Sequence, residues 1–436
     1  MNKRQVIILW AVAVLLGIAV AAVKISQNDN SDSATKRTHG QTLFESFPAE
    51  QVTTIDIQGA PDSVTLAKVD GKWTLPSKDS YPANETYVYD FLRSLSDLKV
   101  TLGMEAGPSF APRFGMDETA TKPEDRGLTA TFKDAAGKEI AKVSLGKTID
   151  SAAAASPMGG SSVGRYVRNH ADDSGFYAVS EMFPSISTDP ARWLADGFVS
   201  PEKVKSISVS LPGKSEIAWK VIRDGEEAEF KLDSTSGSDV LDSASASSFK
   251  SILSYSRFND VIAKDKVAEQ IAAEQKRTVV IETFEGFIYN LTISPTRAAA
   301  TPTANPAGDE KYFMTADVSA ELPKERKKEA DEKPEDKTTK DTAFTDRLKT
   351  LTEKLVKEKA LAGTTFEVSK STVESLLKDR AALIAKPAEP EASTNAPMQK
   401  FPGGLVVPTP APATTPPIEA VTPPISIPAD DETGDE

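Results

Sequence analysis

The feature that most restricts the fold of this chain is an internal repeat. Val52-x-x-Ile55-x-Ile57 recurs as Val204-x-x-Ile207-x-Val209, with Glu50 and Glu202 at matching distances ahead. Both copies continue with an alternating run, Val64-x-Leu66 and Ile217-x-Trp219, leading into Asp70-Gly71 and Asp224-Gly225. Asp-Gly between alternating apolar segments predicts a hairpin, with return strands Trp73-x-Leu75 and Phe230-x-Leu232. Next come helical patterns, Val88, Phe91, Leu92 and Leu95 in one copy and Phe249, Ile252 and Leu253 in the other, with Phe258 beyond. The i, i+3, i+4 spacing gathers each set on one face, ready to cover a sheet. A second hairpin follows in both: Leu128 to Phe132 with Ile140 to Leu145, and Val279 to Phe284 with Ile288 to Ile293, turning at Gly137 and Gly286.

The correspondence extends into low-complexity sequence. Ser151 to Gly164 and Pro295 to Gly308 occupy the same point of the two copies, and each returns to an aromatic strand, Tyr166-Val167 and Tyr312-Phe313. The copies close with Tyr177-Ala178-Val179-Ser180 and Phe366-Glu367-Val368-Ser369. Long unstructured connections are usually functional or disordered, so these two loops are candidate contact sites. The second copy carries an insertion of roughly residues 321–363, densely charged over Lys324 to Asp341 and then striped with Phe344, Leu348, Leu351 and Leu355. That stripe predicts an amphipathic helix. A helix lying on its own lobe is the reading favoured here, with a partner-binding helix as the alternative.

Ahead of the repeat stands an apolar run without charge, Val6 to Val23, directly behind Lys3 and Arg4. At about 1.5 Å per residue it is long enough to cross most of a hydrocarbon core of about 30 Å. Residues 1–26 are therefore expected to be a transmembrane anchor. The competing reading is a signal peptide cleaved after Ala19-Val20-Ala21, but the run exceeds the usual signal-peptide core. Lys3 and Arg4 keep the short N-terminus cytoplasmic under the positive-inside rule, which sends the bulk of the chain to the periplasmic or extracytoplasmic side of a bacterial inner membrane. Residues 27–42 then read as a flexible spacer, and the Pro-rich acidic stretch 386–436 as a disordered tail.

Composition narrows the function classes. The formal net charge of −13 and an isoelectric point near 5.0 argue against nucleic acid and against docking on anionic lipid through a basic patch. With no cysteine, the chain has no disulfides, thiolate metal sites, cysteine nucleophile or lipoprotein acylation. There are two histidines, His39 in the spacer and His170 in a polar turn next to Asp172 and Asp173. Two distant histidines cannot complete a zinc site. A Ser-His-Asp triad would have to use His170, yet no Gly-x-Ser-x-Gly elbow accompanies it, and it reads as a solvated turn histidine. Asp117-Glu118 reads as an exposed turn rather than an acid/base pair, and Met158-Gly159-Gly160-Ser161-Ser162 as linker rather than phosphate loop. Trp10 reads as an anchor residue and Trp73, Trp193 and Trp219 as core rather than sugar platforms; Asn290-Leu291-Thr292 lies inside an expected strand. No catalytic, cofactor-binding or metal-ligating residue is assigned, and no cofactor or small-molecule substrate.

Taken together, the anchor, the Val-x-x-Ile-x-Ile strand, Asp-Gly-x-Trp-x-Leu at Asp70 to Leu75, Tyr-Pro-Ala at Tyr81 to Ala83, the Leu-rich helix and Gly-Arg-Tyr-Val at Gly164 to Val167 resemble bacterial domain-of-unknown-function family 4340. The likeness is clearest over residues 45–195; Trp73 and the Tyr-Pro-Ala motif have no clean counterparts in the second copy. The resemblance implies an envelope protein found alongside gliding-motility-type ABC exporter components, with an auxiliary, non-enzymatic role and no catalytic residues to carry over. The expected architecture is α+β: an N-terminal transmembrane helix, then two repeated lobes of antiparallel hairpins with a covering helix, at 43–195 and 196–385. The expected function is a membrane-anchored accessory or scaffolding protein acting through protein contacts. A cell-wall or polysaccharide-binding module is the alternative, and a carboxylate-based hydrolase a third.

Overall fold

The computed structural model describes residues 35–150, 162–214, 216–233, 239–297, 310–326 and 334–385. The expected anchor at Val6 to Val23, the Pro-rich tail and most of both low-complexity loops lie outside them. Among the described residues no helix is long and apolar enough to cross a membrane.

The fold is mixed α+β with two antiparallel sheets. The first contains β1 (Thr54–Gln58), β2 (Ser63–Val69), β3 (Lys72–Leu75), β4 (Tyr81–Pro82), β5 (Val100–Glu105), β6 (Leu128–Lys133), β7 (Glu139–Asp150), β8 (Ser162–Asn169) and β9 (Gly175–Val179). Its order is β4-β3-β2-β1-β6-β7-β8-β9-β5. The second contains β10 (Val204–Ser210), β11 (Ile217–Ile222), β12 (Lys231–Leu232), β13 (Asp260–Ile262), β14 (Arg277–Thr283), β15 (Phe287–Pro295), β16 (Lys311–Ala320) and β17 (Thr365–Ser369). Its order, β12-β11-β10-β14-β15-β16-β17-β13, repeats the first strand for strand, except that β4 has no counterpart.

Local chemistry explains the matching parts. Asp70 and Gly71 both take positive φ, 50° and 82°, closing β2 onto β3 with Val69 opposite Lys72. That is the backbone a two-residue hairpin needs. Period-two alternation buries Ile55 and Ile57 in β1 and Ile207 and Val209 in β10. Over the first sheet lies α1 (Glu85–Ser96), capped by Asn84, whose side chain accepts from the Tyr87 amide; it buries Val88, Phe91, Leu92 and Leu95. The glycine of the Gly-Arg-Tyr-Val motif is explained as well, because a Cβ on Gly164 would collide with the carbonyl of Val179 on the neighbouring strand.

Three expectations need correction. Asp224-Gly225 forms no tight hairpin: β11 ends at Ile222 and β12 starts at Lys231, so an eight-residue connection replaces the two-residue turn, and Gly225 is not in the left-handed region. The second helical pattern is shorter than its spacing suggests. Here α2 (Ser243–Lys250) ends before Ile252, and Leu253, although buried, has a left-handed φ of 56°. Serine-rich sequence is a weak helix former, and burial holds those two leucine-type side chains without a helix. The strand alignment also slips by one residue. Val167 faces Tyr177 while Met314 faces Phe366, so Tyr166 corresponds to Phe313 and not to Tyr312. Matching aromatics misled, whereas the buried face, Val167 and Met314, sets the register.

Residues 35–42, expected as spacer, are attached to the first lobe. Gly40 N donates to Val100 O at 2.8 Å, Leu43 N to Leu98 O at 2.7 Å, and Thr42 bridges Lys99. The two sheets share one hydrophobic cluster rather than two separate ones. Their joint is made by β4. The Tyr81 hydroxyl donates to Gly197 O at 3.3 Å, its ring sits edge-on to Phe258 and Phe366, Lys78 pairs with Asp260 at 2.7 Å, and Asp79 accepts from the Lys264 amide at 2.8 Å. The Tyr-Pro-Ala motif lacks a counterpart because only one copy needs a strand to dock the other.

Candidate functional site

Where the lobes meet, the surface opens into a groove of about 790 Å³. One wall is the start of α1, where the Asn84 cap leaves Tyr87 44% exposed. The floor is the connection Asp196 to Ser200, and the far wall is the segment Tyr255 to Asn259 after α2. Leu253 and Tyr255 are both left-handed, φ 56° and 59°, which turns Leu253 into the core and leaves Tyr255 99% exposed. A left-handed non-glycine residue costs about 1–2 kcal/mol relative to the right-handed form. The backbone here is held against its local preference, and the result is an aromatic ring standing in solvent at the rim of this groove. Arg192 and Arg257 line the same groove. Tyrosine and arginine together are the side chains most enriched at protein-binding hot spots.

The inserted helix docks on its own lobe. Its long form, α3 (Pro334–Lys359), buries Leu351 to 3% exposure in the common core, with Leu355 packed against it and Phe344 and Leu348 half-buried. A charged cluster fastens it. Arg347 donates to both oxygens of Glu285, at 2.9 and 2.6 Å, and to Glu202 at 3.0 Å, while Lys354 reaches Glu202 at 2.7 Å. Deeper in, Glu358 accepts from the Tyr289 hydroxyl at 2.8 Å and from the Ser200 amide at 3.0 Å. Burial pushes the Glu358 carboxyl above the usual range, more than Ser200, Lys354 and Tyr289 offset. Burial and then Glu358 push the Tyr289 phenol up. For Glu202 burial acts upward too, but the hydrogen bonds from Lys354 and Arg347 prevail and hold it low.

His170 is not a solvated turn residue. It is half-buried, and its Nε2 lies 2.8 Å from Ser144 Oγ, which lies 2.9 Å from Thr129 Oγ1. Burial, then Lys142 and Arg168, bring its pKa down to about 4. The neighbouring Asp172 does not serve it: that carboxylate accepts from Ser174 and from the Tyr177 hydroxyl at 2.5 Å. A Ser-His contact thus exists without the aspartate of a triad. Period-two spacing could have signalled it, since Lys142 and Ser144 share a face, but the cross-strand partners that complete it could not be known before the register.

Other sequence candidates take the places expected of them. Trp73, Trp193 and Trp219 are buried to 1%, 0% and 1% exposure. Asp117 accepts from the Thr119 amide and hydroxyl, which hold its carboxyl low in an exposed turn, and Asn290 lies within β15. Met158 to Ser161 lie outside the described residues. No group of three potential metal ligands occurs among the described residues.

A family model described as Domain of unknown function (DUF4340) matches residues 73–275, and this supports the family resemblance. The match begins at Trp73, takes in Tyr81 and the groove, and ends at Gln275, in the turn ahead of β14. Neither a curated protein nor a solved structure matches the chain.

Proposed function

We propose that this chain is a membrane-anchored, exported accessory or scaffolding protein of an envelope assembly, working through protein contacts made at the groove between its lobes. The observation that carries the reading is Tyr255, 99% exposed on a left-handed backbone at the rim of a groove that Tyr87, Arg192 and Arg257 also line. An aromatic side chain with two torsions brings contact area at little entropic cost, and a guanidinium lining the same groove selects a partner surface offering carboxylates or carbonyls. The charge-free apolar run Val6 to Val23 behind Lys3 and Arg4 supports membrane attachment, and an ABC-type export system as the assembly rests on the family resemblance alone.

The test places a photoreactive benzoylphenylalanine at Tyr255 in the full chain in native membranes, with Val69 in the first hairpin as an exposed control. Adducts with transporter subunits at Tyr255 and none at Val69 are expected. Equal labelling at both positions refutes the groove as the contact. Retention on isolated wall polymer that Tyr255→Ala abolishes, with no transporter adduct, replaces the reading with polysaccharide binding.

A further inference from the structure

The outer face of the first sheet carries a cluster that its copy lacks. On β7, Lys142 and Ser144 point to the face opposite the core residues Ala141, Val143 and Leu145. Ser144 pairs across strands with Arg168, and the His170 amide donates to Lys142 O at 3.1 Å, so all four residues meet at one place. They line a cavity of about 430 Å³ roofed by a proline-rich turn with Pro108 and Pro112. The register identifies the matching positions in the second lobe. Ala130 and Val143 correspond to Val279 and Leu291, so Lys142, Arg168 and His170 correspond to Asn290, Thr315 and Asp317. The same scaffold therefore carries two cations and an imidazole in one lobe and neutral or acidic groups in the other.

Two donors in the first-lobe cluster are unspent. Arg168 stacks over Phe176 at 5.6 Å and has no carboxylate partner among the described residues. His170 uses Nε2 towards Ser144, and Nδ1 has no protein partner among the described residues. Ser144 Oγ lies within hydrogen-bond reach of both Thr129 Oγ1 and Nε2, and in the tautomer where it donates to Nε2 the neutral imidazole carries its proton on Nδ1. Ser144 and Thr129 are thus positioning residues for that N–H. In a chain with 64 acidic and 51 basic residues, an arginine left without a carboxylate beside a cavity is the group an anion would seek.

We propose that this cavity binds a small oxyanion of the phosphate class, held by Arg168, Lys142 and the Nδ1 proton of His170. Two carboxylates also border it. Asp117 is committed to Thr119, whereas Glu118 is 57% exposed at its side chain and pairs with Lys142 at 3.2 Å. Glu118 is the group the ligand displaces.

The probe is inorganic phosphate added to the full chain. The chain has two histidines, so selective labelling gives two imidazole signals, and His39→Gln assigns the second. A phosphate-dependent shift of the His170 signal is expected, with a rise in its pKa as the anion favours the imidazolium. The reasoning sets opposite signs for two variants: Arg168→Gln weakens phosphate affinity about tenfold or more, and Glu118→Gln strengthens it, by about threefold. Both variants change surface-accessible side chains, and an unshifted melting temperature without phosphate certifies the fold. No His170 shift at millimolar phosphate, or equal affinity in wild type and Arg168→Gln, overturns the proposal. Glycerol 3-phosphate and phosphatidylglycerol vesicles form the remaining arms. A shift with glycerol 3-phosphate supports a soluble ligand, while a shift with vesicles alone overturns it in favour of a lipid headgroup.

Discussion

Removing one oxygen atom, by Tyr289→Phe, tests the account of how the inserted helix is fastened. Tyr289 is 0% exposed and Glu358 5% exposed, and the hydroxyl is 2.8 Å from the carboxylate. The phenylalanine ring fills the same space and keeps its stacking on Phe287, at 6.0 Å between centroids. The variant therefore loses only the hydrogen bond. A bond to a buried charge contributes about 1.5–3 kcal/mol, and one to a neutral acid about 0.5–1.5 kcal/mol. The cost must consequently depend on the protonation of Glu358. Its pKa is raised in the folded chain, so this carboxyl contributes stability that is fully present below its ordinary value of 4.5 and is lost as pH rises through the folded value. The Tyr289 donor limits that loss by lowering the folded pKa. Without it the folded pKa climbs further, and the variant falls progressively behind wild type as pH rises. Urea titrations of both proteins at pH 4.5 and pH 8, followed by tryptophan fluorescence, should give a gap at least about 1 kcal/mol larger at pH 8. A gap that is equal at the two pH values, or larger at pH 4.5, refutes the buried charged pair.

Two further outcomes concern packing. Trp73 is 1% exposed, its indole N–H has no partner, and Lys68 Nζ lies 5.9 Å over its ring, so it acts mainly through buried volume; Trp73→Ala should cost about 3–5 kcal/mol in denaturant titration, while Trp73→Phe keeps most of that stability. The double change Leu348→Glu and Leu351→Glu should lower the melting temperature markedly, because Leu351 is 3% exposed in the core and an unpaired charge there costs several kcal/mol. An unchanged melting temperature with loss of a partner would restore the partner-binding helix.

What could be read in the sequence was whatever repeats with a short period. Ile55 with Ile57, the Asp70-Gly71 turn and the Val88, Phe91, Leu92, Leu95 stripe are each dictated within about a dozen residues, and each is where the pattern placed it. The groove was not legible, because Tyr255 is exposed only through two left-handed residues in a serine-rich stretch that carries no glycine signal. The cation cluster was hidden for another reason. Lys142, Arg168 and His170 meet only through the pairing of β7 with β8, whose register residue identity alone does not reveal. A polar turn beside two aspartates is what the His170 sequence displays, and the partner of its ring lies on the adjacent strand.

The strand order also bears on how the chain acquires its structure in time. In both sheets the strand that follows the covering helix, β5 or β13, lies at the far edge and pairs with the last strand to be made, β9 or β17. Val100 waits for Val179, and Asp260 waits for Glu367 across the whole inserted helix. Such pairings raise contact order, which slows folding, although lengthening the loop adds only about 0.6 kcal/mol per doubling to the closure cost. A chain delivered vectorially would keep the second sheet open until residue 369 had emerged. Its exposed β16 edge is then the surface that a holdase would meet until β17 pairs with it.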